Sequence, residues 1–97
     1  MQDRTDDSIR EWMTLNFPNE NTDSIPLALG LEEAFIGVIT TEMIAVYDYE
    51  KCILALMGQG MEHDEAVDWF HVNTLGSSID PQSPFYVDVM EIKKGDL

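Results

Sequence analysis

Apolar residues recur along this chain mainly with helical spacing. An i, i+3, i+4 pattern predicts a short first helix over residues 8–15, with Thr5 or Asp6 as its N-cap. The same period predicts a second helix over Leu31–Thr41. The N-terminal third of the chain is therefore expected to be helical, with a loop dense in turn residues between the two helices.

Two further helices are predicted in the middle of the chain. The third covers Tyr49–Met57 and begins after Asp48, whose carboxylate suits an N-cap position. The fourth covers about Glu62–Asn73. Because only a short, glycine-containing turn separates them, these two helices are predicted to form an αα-hairpin.

Strand signals are weaker. Met43–Tyr47 and Phe85–Ile92 are rich in β-branched and aromatic residues, and each is the obvious pairing partner of the other. The predicted fold class is α+β, mainly helical, with about four helices and at most a small two-stranded sheet. Residues 1–97 are predicted to form one domain, with residues 1–7 and 93–97 frayed.

The charge distribution is the feature that most narrows the function. The chain has 19 Asp and Glu residues against 5 Lys and Arg, a formal net charge of −14. No Lys or Arg occurs between Glu11 and Glu50, or between Cys52 and Ile92. Most carboxylates therefore lack an internal cation, and the resulting negative potential favours a basic partner.

The same composition argues against several other functional classes. Direct nucleic-acid binding is disfavoured because that affinity comes from Lys and Arg on phosphates, and no apolar run approaches the length of a membrane span. The acidic N-terminus is unlike a signal peptide, so a cytoplasmic location is expected. Cys52 is the only cysteine and lies in an apolar run, which indicates a buried small side chain.

No catalytic motif is present. The serines lack a nucleophile-elbow context and the glycines form no phosphate-binding loop, so we expect neither enzyme activity nor a cofactor. The alternative is a metal-dependent enzyme that uses Asp64, Asp68 and His71, which share a helix face at i, i+4 and i+7. Metal sites are normally completed from a second element, so a solvated acidic face is the preferred interpretation.

Exposed carboxylates are the candidate partner-binding groups. Those on the fourth helix come first, followed by carboxylates near the starts of the second and third helices. In that order they are Asp64, Glu65, Asp68, Glu32, Glu33, Asp48 and Glu50. Tyr47, Tyr49 and Trp69 adjoin acidic residues and are expected to be partly exposed, where Arg side chains of a partner would stack on them.

Two segments carry a family resemblance. The first is the Tyr47-Asp48-Tyr49 segment with Lys51 and Cys52, and the second is the run from Gly60 to Asn73 with the pattern GMxxxEAxxxFxxN. Over roughly residues 29–86 the chain resembles a family of small phage and prophage proteins, most of them uncharacterised. The loop 77–83 departs from the family pattern.

The resemblance implies a phage context, in which small acidic proteins often occupy the nucleic-acid channels of host enzymes. We therefore expect a non-catalytic inhibitor that binds a basic, nucleic-acid-handling host protein, of the anti-CRISPR or anti-restriction type, by nucleic-acid mimicry. The alternative is a general interaction module, for example a homo-oligomer or a phage accessory or assembly protein, which would use an apolar interface.

Overall fold

The computed structural model describes residues 5–75 and 82–90, with the backbone alone described for Leu75. Its α-helices are α1 (Asp6–Asn16), α2 (Tyr49–Gly58) and α3 (His63–Phe70), and its strands are β1 (Phe35–Ile39), β2 (Ile44–Asp48) and β3 (Phe85–Val87). Short 3-10 turns cover Thr22–Ser24 and Glu32–Ala34, and a π-helical turn, His71–Leu75, continues from α3.

The first helix is confirmed, with Thr5 as its N-cap. The Thr5 hydroxyl accepts a hydrogen bond from the Ser8 backbone N–H at 3.1 Å, and the Ser8 hydroxyl oxygen accepts one from the Thr5 N–H. Ile9 and Met13 are buried on the inner face. Residues 5–7, which were predicted to be frayed, form this reciprocal cap and the first turn of α1; residues 1–4 lie outside the described part.

The second predicted helix is wrong. Only Glu32–Ala34 is helical, as one 3-10 turn, and the chain then runs as strand β1 into a tight turn and strand β2. The turn closes through a hydrogen bond from the Met43 N–H to the Ile39 carbonyl at 2.7 Å, and Met43 takes a φ of 55°. β-Branched residues and Gly37 disfavour a helix in this segment, and antiparallel pairing with β2 satisfies its backbone instead.

The sheet is larger than predicted. Its order is β1–β2–β3, with β1 antiparallel to β2 and β3 parallel to β2, so the limit of two strands is wrong. The additional strand is β1, which lies within the helix predicted over Leu31–Thr41. The predicted pairing of the other two segments is confirmed over Val46–Asp48 and Phe85–Val87. β3 ends at Val87, so residues 88–90 of the predicted strand are not part of the sheet, and residues 91 and 92 lie outside the described part.

Asp48 caps α2 as predicted. Its Oδ1 accepts a hydrogen bond from the Lys51 N–H at 3.2 Å, and the helix ends near Gly58. The αα-hairpin is confirmed, since α2 and α3 pack together across the short connection 59–62. The fourth predicted helix, however, is α-helical only to Phe70 and then widens into the π-helical turn. The described residues thus contain three α-helices.

A continuous series of ring contacts runs through the core, with centroid separations of 4.9 to 5.9 Å. In spatial order the rings are Trp12, Phe35, Tyr47, Tyr86, Phe70, Tyr49 and His71. Tyr47 lies within the series, between Phe35 and Tyr86, and is fully buried, so its predicted partial exposure is wrong. Its hydroxyl accepts a hydrogen bond from the Ala28 N–H at 2.8 Å, which fastens the loop before β1 to the sheet.

Candidate functional site

Internal ion pairing is sparse, as the charge pattern predicts. In residues 5–75 and 82–90 the ion pairs are Arg10–Asp6 at 3.5 Å and His63–Asp64 at 3.4 Å, the second requiring a protonated imidazole. Arg10 also donates to the carbonyls of Thr22 and Asp23, so its charge is used inside the fold. The other carboxylates among these described residues form no ion pair, so their negative potential is not cancelled by a paired cation.

A groove of about 260 Å³ lies where α2, α3 and the residue after β3 meet. Side chains from both helices, together with that residue, line the groove. They are Tyr49, Glu50, Ile53, Leu54, His63, Val67 and Asp88.

Helical periodicity explains how this sequence builds the groove. Glu50, Ile53 and Leu54 follow i, i+3, i+4 spacing on α2, and His63 and Val67 follow i, i+4 spacing on α3. Each helix thus turns one strip of side chains toward the groove. Because α2 and α3 are consecutive and closely packed, the two strips lie side by side.

The base of the groove is apolar and its rim is charged. Ile53 is 3% exposed and Val67 is half-buried, whereas Leu54 is 58% exposed and offers a large apolar surface to solvent. Glu50 and Asp88 are exposed and contribute carboxylates to the lining. An apolar centre with a polar margin is the usual anatomy of a protein-binding surface.

Tyr49 has a fixed orientation at one end of the groove. Its ring packs edge-on against Phe70 at a centroid distance of 5.3 Å, and its hydroxyl is 3.1 Å from Nε2 of His71. The ring is half-buried, so one part supports the core while the remainder lines the groove. A guanidinium or an ammonium group brought into the groove would meet an aromatic ring already held in place.

A second, shallower depression of about 390 Å³ adjoins the first through Leu54. It is lined by Glu33, Lys51, Leu54 and Ala55. Sharing Leu54 makes the two depressions one continuous face. The structure thereby brings Glu33 and Glu50, which are distant in sequence, to the same side of the molecule.

The leading predicted residues lie on α3, the helix that forms one side of the groove, but do not line the groove. Asp64 and Asp68 each follow a groove-lining residue, His63 or Val67, and are therefore turned by about 100° from it around the helix. Both are exposed. We define the α2–α3 surface as the groove together with Glu33, Asp64 and Asp68.

Three other predicted contact residues have structural partners. Asp48 is only 5% exposed and caps α2. Glu32 is half-buried, and its Oε2 accepts a hydrogen bond from the Gly30 N–H at 2.6 Å. Glu65 is exposed, but its Oε1 accepts one from the Glu62 N–H at 3.4 Å in the capping box of α3. We do not include these three in the α2–α3 surface.

The structure does not assemble the alternative metal site. In the described part of the chain no three His, Cys, Asp or Glu side chains lie close enough to hold a metal ion together. His71, the imidazole of the predicted trio, instead contacts Tyr49 through its Nε2 atom and its ring.

Cys52 is buried, which confirms its interpretation as a small core side chain. Burial, with a further contribution from the negative charge of Asp48, raises the pKa of its thiol from 9.0 to about 12. A thiolate nucleophile would require the opposite shift, toward a lower pKa.

The sequence alone did not reveal Leu54, Val67 and Asp88 as parts of a surface. Leu54 resembled one more core residue of an apolar helix. Asp88 lay in a predicted strand whose partner was predicted but whose direction relative to that partner was not. The available signal was that Glu50, Ile53 and Leu54 share a strip of α2, which places a leucine beside a carboxylate near the helix edge.

In residues 5–75 and 82–90, no helix combines the length and the apolar character needed to cross a membrane. No protein-family profile, no curated protein and no solved structure matches the chain.

Proposed function

We propose that this protein is a non-catalytic binding protein that captures a basic protein partner through the α2–α3 surface. The observation that carries the proposal is an exposed apolar groove whose rim carboxylates, Glu50 and Asp88, have no cation paired with them among the described residues. Burying such a groove against a basic surface would gain both apolar contact and charge complementarity.

Electrostatics favours a basic partner over a neutral one. With a net charge of −14, the molecule attracts a cationic surface over a distance set by the ionic strength, roughly 10 Å at 0.1 M salt. This attraction mainly raises the association rate, whereas the apolar centre around Leu54 opposes dissociation. The combination suits rapid capture followed by a longer-lived contact.

In its more specific form, the proposal is that the partner is a nucleic-acid-handling protein of a bacterial host. This protein would inhibit that partner by occupying its nucleic-acid channel. Two considerations support this form: the resemblance of residues 29–86 to small phage proteins, and the carboxylates of Glu50, Asp64 and Asp68 on two packed helices. Carboxylates on a rigid support can engage the Lys and Arg residues that otherwise hold phosphates. An anti-CRISPR or anti-restriction protein is the form we favour.

The test is capture from a bacterial lysate by three immobilised proteins, at low and at high salt. They are the wild type, the double variant Asp64→Lys/Asp68→Lys, and the control Glu20→Lys/Asp23→Lys. The control has the same net charge as the double variant, but its substitutions lie at exposed positions outside α3. We expect the wild type and the control to retain one basic protein that added DNA or RNA displaces, and the α3 variant to lose it. Equal capture by all three proteins would remove α3 from the binding surface.

A general interaction module, including a homo-oligomer, is the second candidate, because large apolar side chains are exposed outside the groove. Leu29 is 93% exposed, and Leu15 and Val72 are 73% and 72% exposed. This candidate predicts self-association or partner binding that persists at high salt, since apolar contacts are not screened. Light scattering at low and high salt separates the two candidates.

A further inference from the structure

We propose that the groove between α2 and α3 is a receptor for a single arginine side chain of the partner, which inserts as an anchor at the centre of the interface. This inference rests on the proposed function and makes it more specific, because it names the group that is recognised and the residues that recognise it. The stem of the arginine lies on Leu54 and Val67, and its guanidinium group meets Tyr49, Glu50 and Asp88.

The size and the lining of the groove fit an extended, amphipathic side chain. A volume of about 260 Å³ exceeds what one side chain requires and leaves room for bridging water. The methylene stem of an arginine covers apolar surface while its charged end reaches a polar rim. Here the apolar surface is supplied by Leu54, Val67 and the buried Ile53.

The guanidinium group of the arginine meets carboxylates from two separate parts of the fold. Glu50 lies in the first turn of α2, and Asp88 directly follows β3, so the groove receives negative charge from two directions. Neither carboxylate is paired with a cation among the residues that the structure describes. A guanidinium presents several donors in a planar fork and can bond both groups at once.

Tyr49 distinguishes arginine from lysine. Its ring is fixed against Phe70 and lines the groove beside Glu50, which provides a surface on which a planar cation can stack. An ammonium group is more strongly hydrated and cannot form the bidentate pair, so lysine should bind more weakly although its charge is equal.

Among the described residues that line the groove, His63 is the one basic group, and it faces the same space from α3. Its Nδ1 lies 3.4 Å from Oδ1 of Asp64, so a protonated imidazole would be offset by that carboxylate. The groove therefore retains negative charge for an arginine even where His63 is protonated.

The experiment is a titration of isotope-labelled protein, followed by NMR, with three capped amino acids: arginine, lysine and citrulline amides acetylated at the α-nitrogen. Citrulline has nearly the shape of arginine without its charge. Methyl signals of Leu54 and Val67 report on the groove, and those of Leu15 and Leu29 report on apolar surface elsewhere. A tetralysine peptide forms a fourth titration and reports charge attraction alone.

We expect the arginine compound to shift the Leu54 and Val67 signals selectively, with an affinity about five-fold higher than that of the lysine compound. Citrulline should produce little change. Leu54→Ala and Glu50→Gln should each weaken arginine binding several-fold, whereas Leu29→Ala, a matched loss of an exposed leucine, should leave it unchanged.

Equal affinities for arginine and lysine, or shifts spread evenly over the acidic surface, would overturn the arginine receptor. If tetralysine still bound in a salt-dependent manner, the proposed function would survive that result. Absence of binding by the capped amino acids and by tetralysine alike would overturn both proposals.

Discussion

Replacing Tyr47 by Phe removes one hydroxyl group from the centre of the core and leaves the ring in place. That hydroxyl accepts the Ala28 N–H at 2.8 Å and joins the loop before β1 to the central strand. Because the Tyr47 side chain is fully buried, no solvent reaches the site from its side, and the Ala28 N–H loses its partner.

The expected cost follows from these two facts. The loss of this hydrogen bond, which leaves a half-buried donor without a partner, should lower the free energy of unfolding by about 1.5 kcal/mol. For a domain of this size that loss lowers Tm by roughly 6–12 °C. Urea denaturation followed by tryptophan fluorescence measures the same difference as a shift in midpoint at constant slope.

Tyr49→Phe is the matched control. It deletes a tyrosine hydroxyl that is also hydrogen-bonded, to His71, but at an exposed site where water can replace the lost partner. Its cost should stay below about 0.5 kcal/mol. If Tyr47→Phe proved no more destabilising than Tyr49→Phe, the account of Tyr47 as the attachment point of this loop would be wrong.

Four further predictions concern the stability of the fold. Burial raises the pKa of Cys52 from 9.0 to about 12 and that of Tyr47 from 10.0 to about 12. As pH rises, the unfolded chain therefore loses these protons before the folded protein does. The free energy of unfolding should keep its full value below pH 9 and decrease as pH rises toward 12, which alkaline denaturation series would show. At neutral pH a thiol reagent should modify Cys52 only at the rate of unfolding, and fast labelling of folded protein would contradict its burial. Asp48→Ala removes the N-cap of α2 and should cost about 1 kcal/mol, whereas Asp48→Asn, which keeps an acceptor oxygen, should cost clearly less in the same urea assay. Because carboxylates greatly outnumber cations, added NaCl should raise Tm, and a Tm unaffected by salt would show that self-repulsion does not limit stability.

Local signals located the α-helices well. Asp48 was identified as an N-cap, and Thr5 as one of two candidates with Asp6, because a side-chain oxygen beside the first free N–H groups of a helix acts within a few residues. The hairpin of α2 and α3 followed from a short connection. These features depend on neighbours in sequence, which the sequence displays directly.

Strand β1 was missed for the opposite reason. Leu31, Ala34 and Phe35 are all buried, as a helical face would be, but they lie in a loop, a 3-10 turn and a strand. The apolar spacing of such a short segment fits both structures, and the pairing with Ile44–Asp48 that decides between them is a tertiary contact.

The candidate site was likewise predictable in part from the sequence. Composition indicated Glu50, Asp64 and Asp68 as carboxylates without cations. The structure places Glu50 in the lining of the groove, and Asp64 and Asp68 at exposed positions of the helix that forms one side of it. Composition could not indicate that Asp88 would join them, since its position depends on the parallel pairing of β3 with β2. Nor could it indicate that the Glu32 carboxylate accepts a hydrogen bond from the Gly30 N–H. Asp48 was predicted both as an N-cap and as a contact residue, and the structure supports the N-cap role.

The most direct test of the central claim is the affinity of the protein for a short oligoarginine peptide, measured by fluorescence anisotropy across a series of salt concentrations. The wild type and the Glu20→Lys/Asp23→Lys control should bind alike, with an affinity that falls steeply as salt rises, and Asp64→Lys/Asp68→Lys should bind at least about ten-fold more weakly. If both charge-reversed variants lost affinity equally, net charge rather than the α2–α3 surface would account for binding, and the claim would be contradicted.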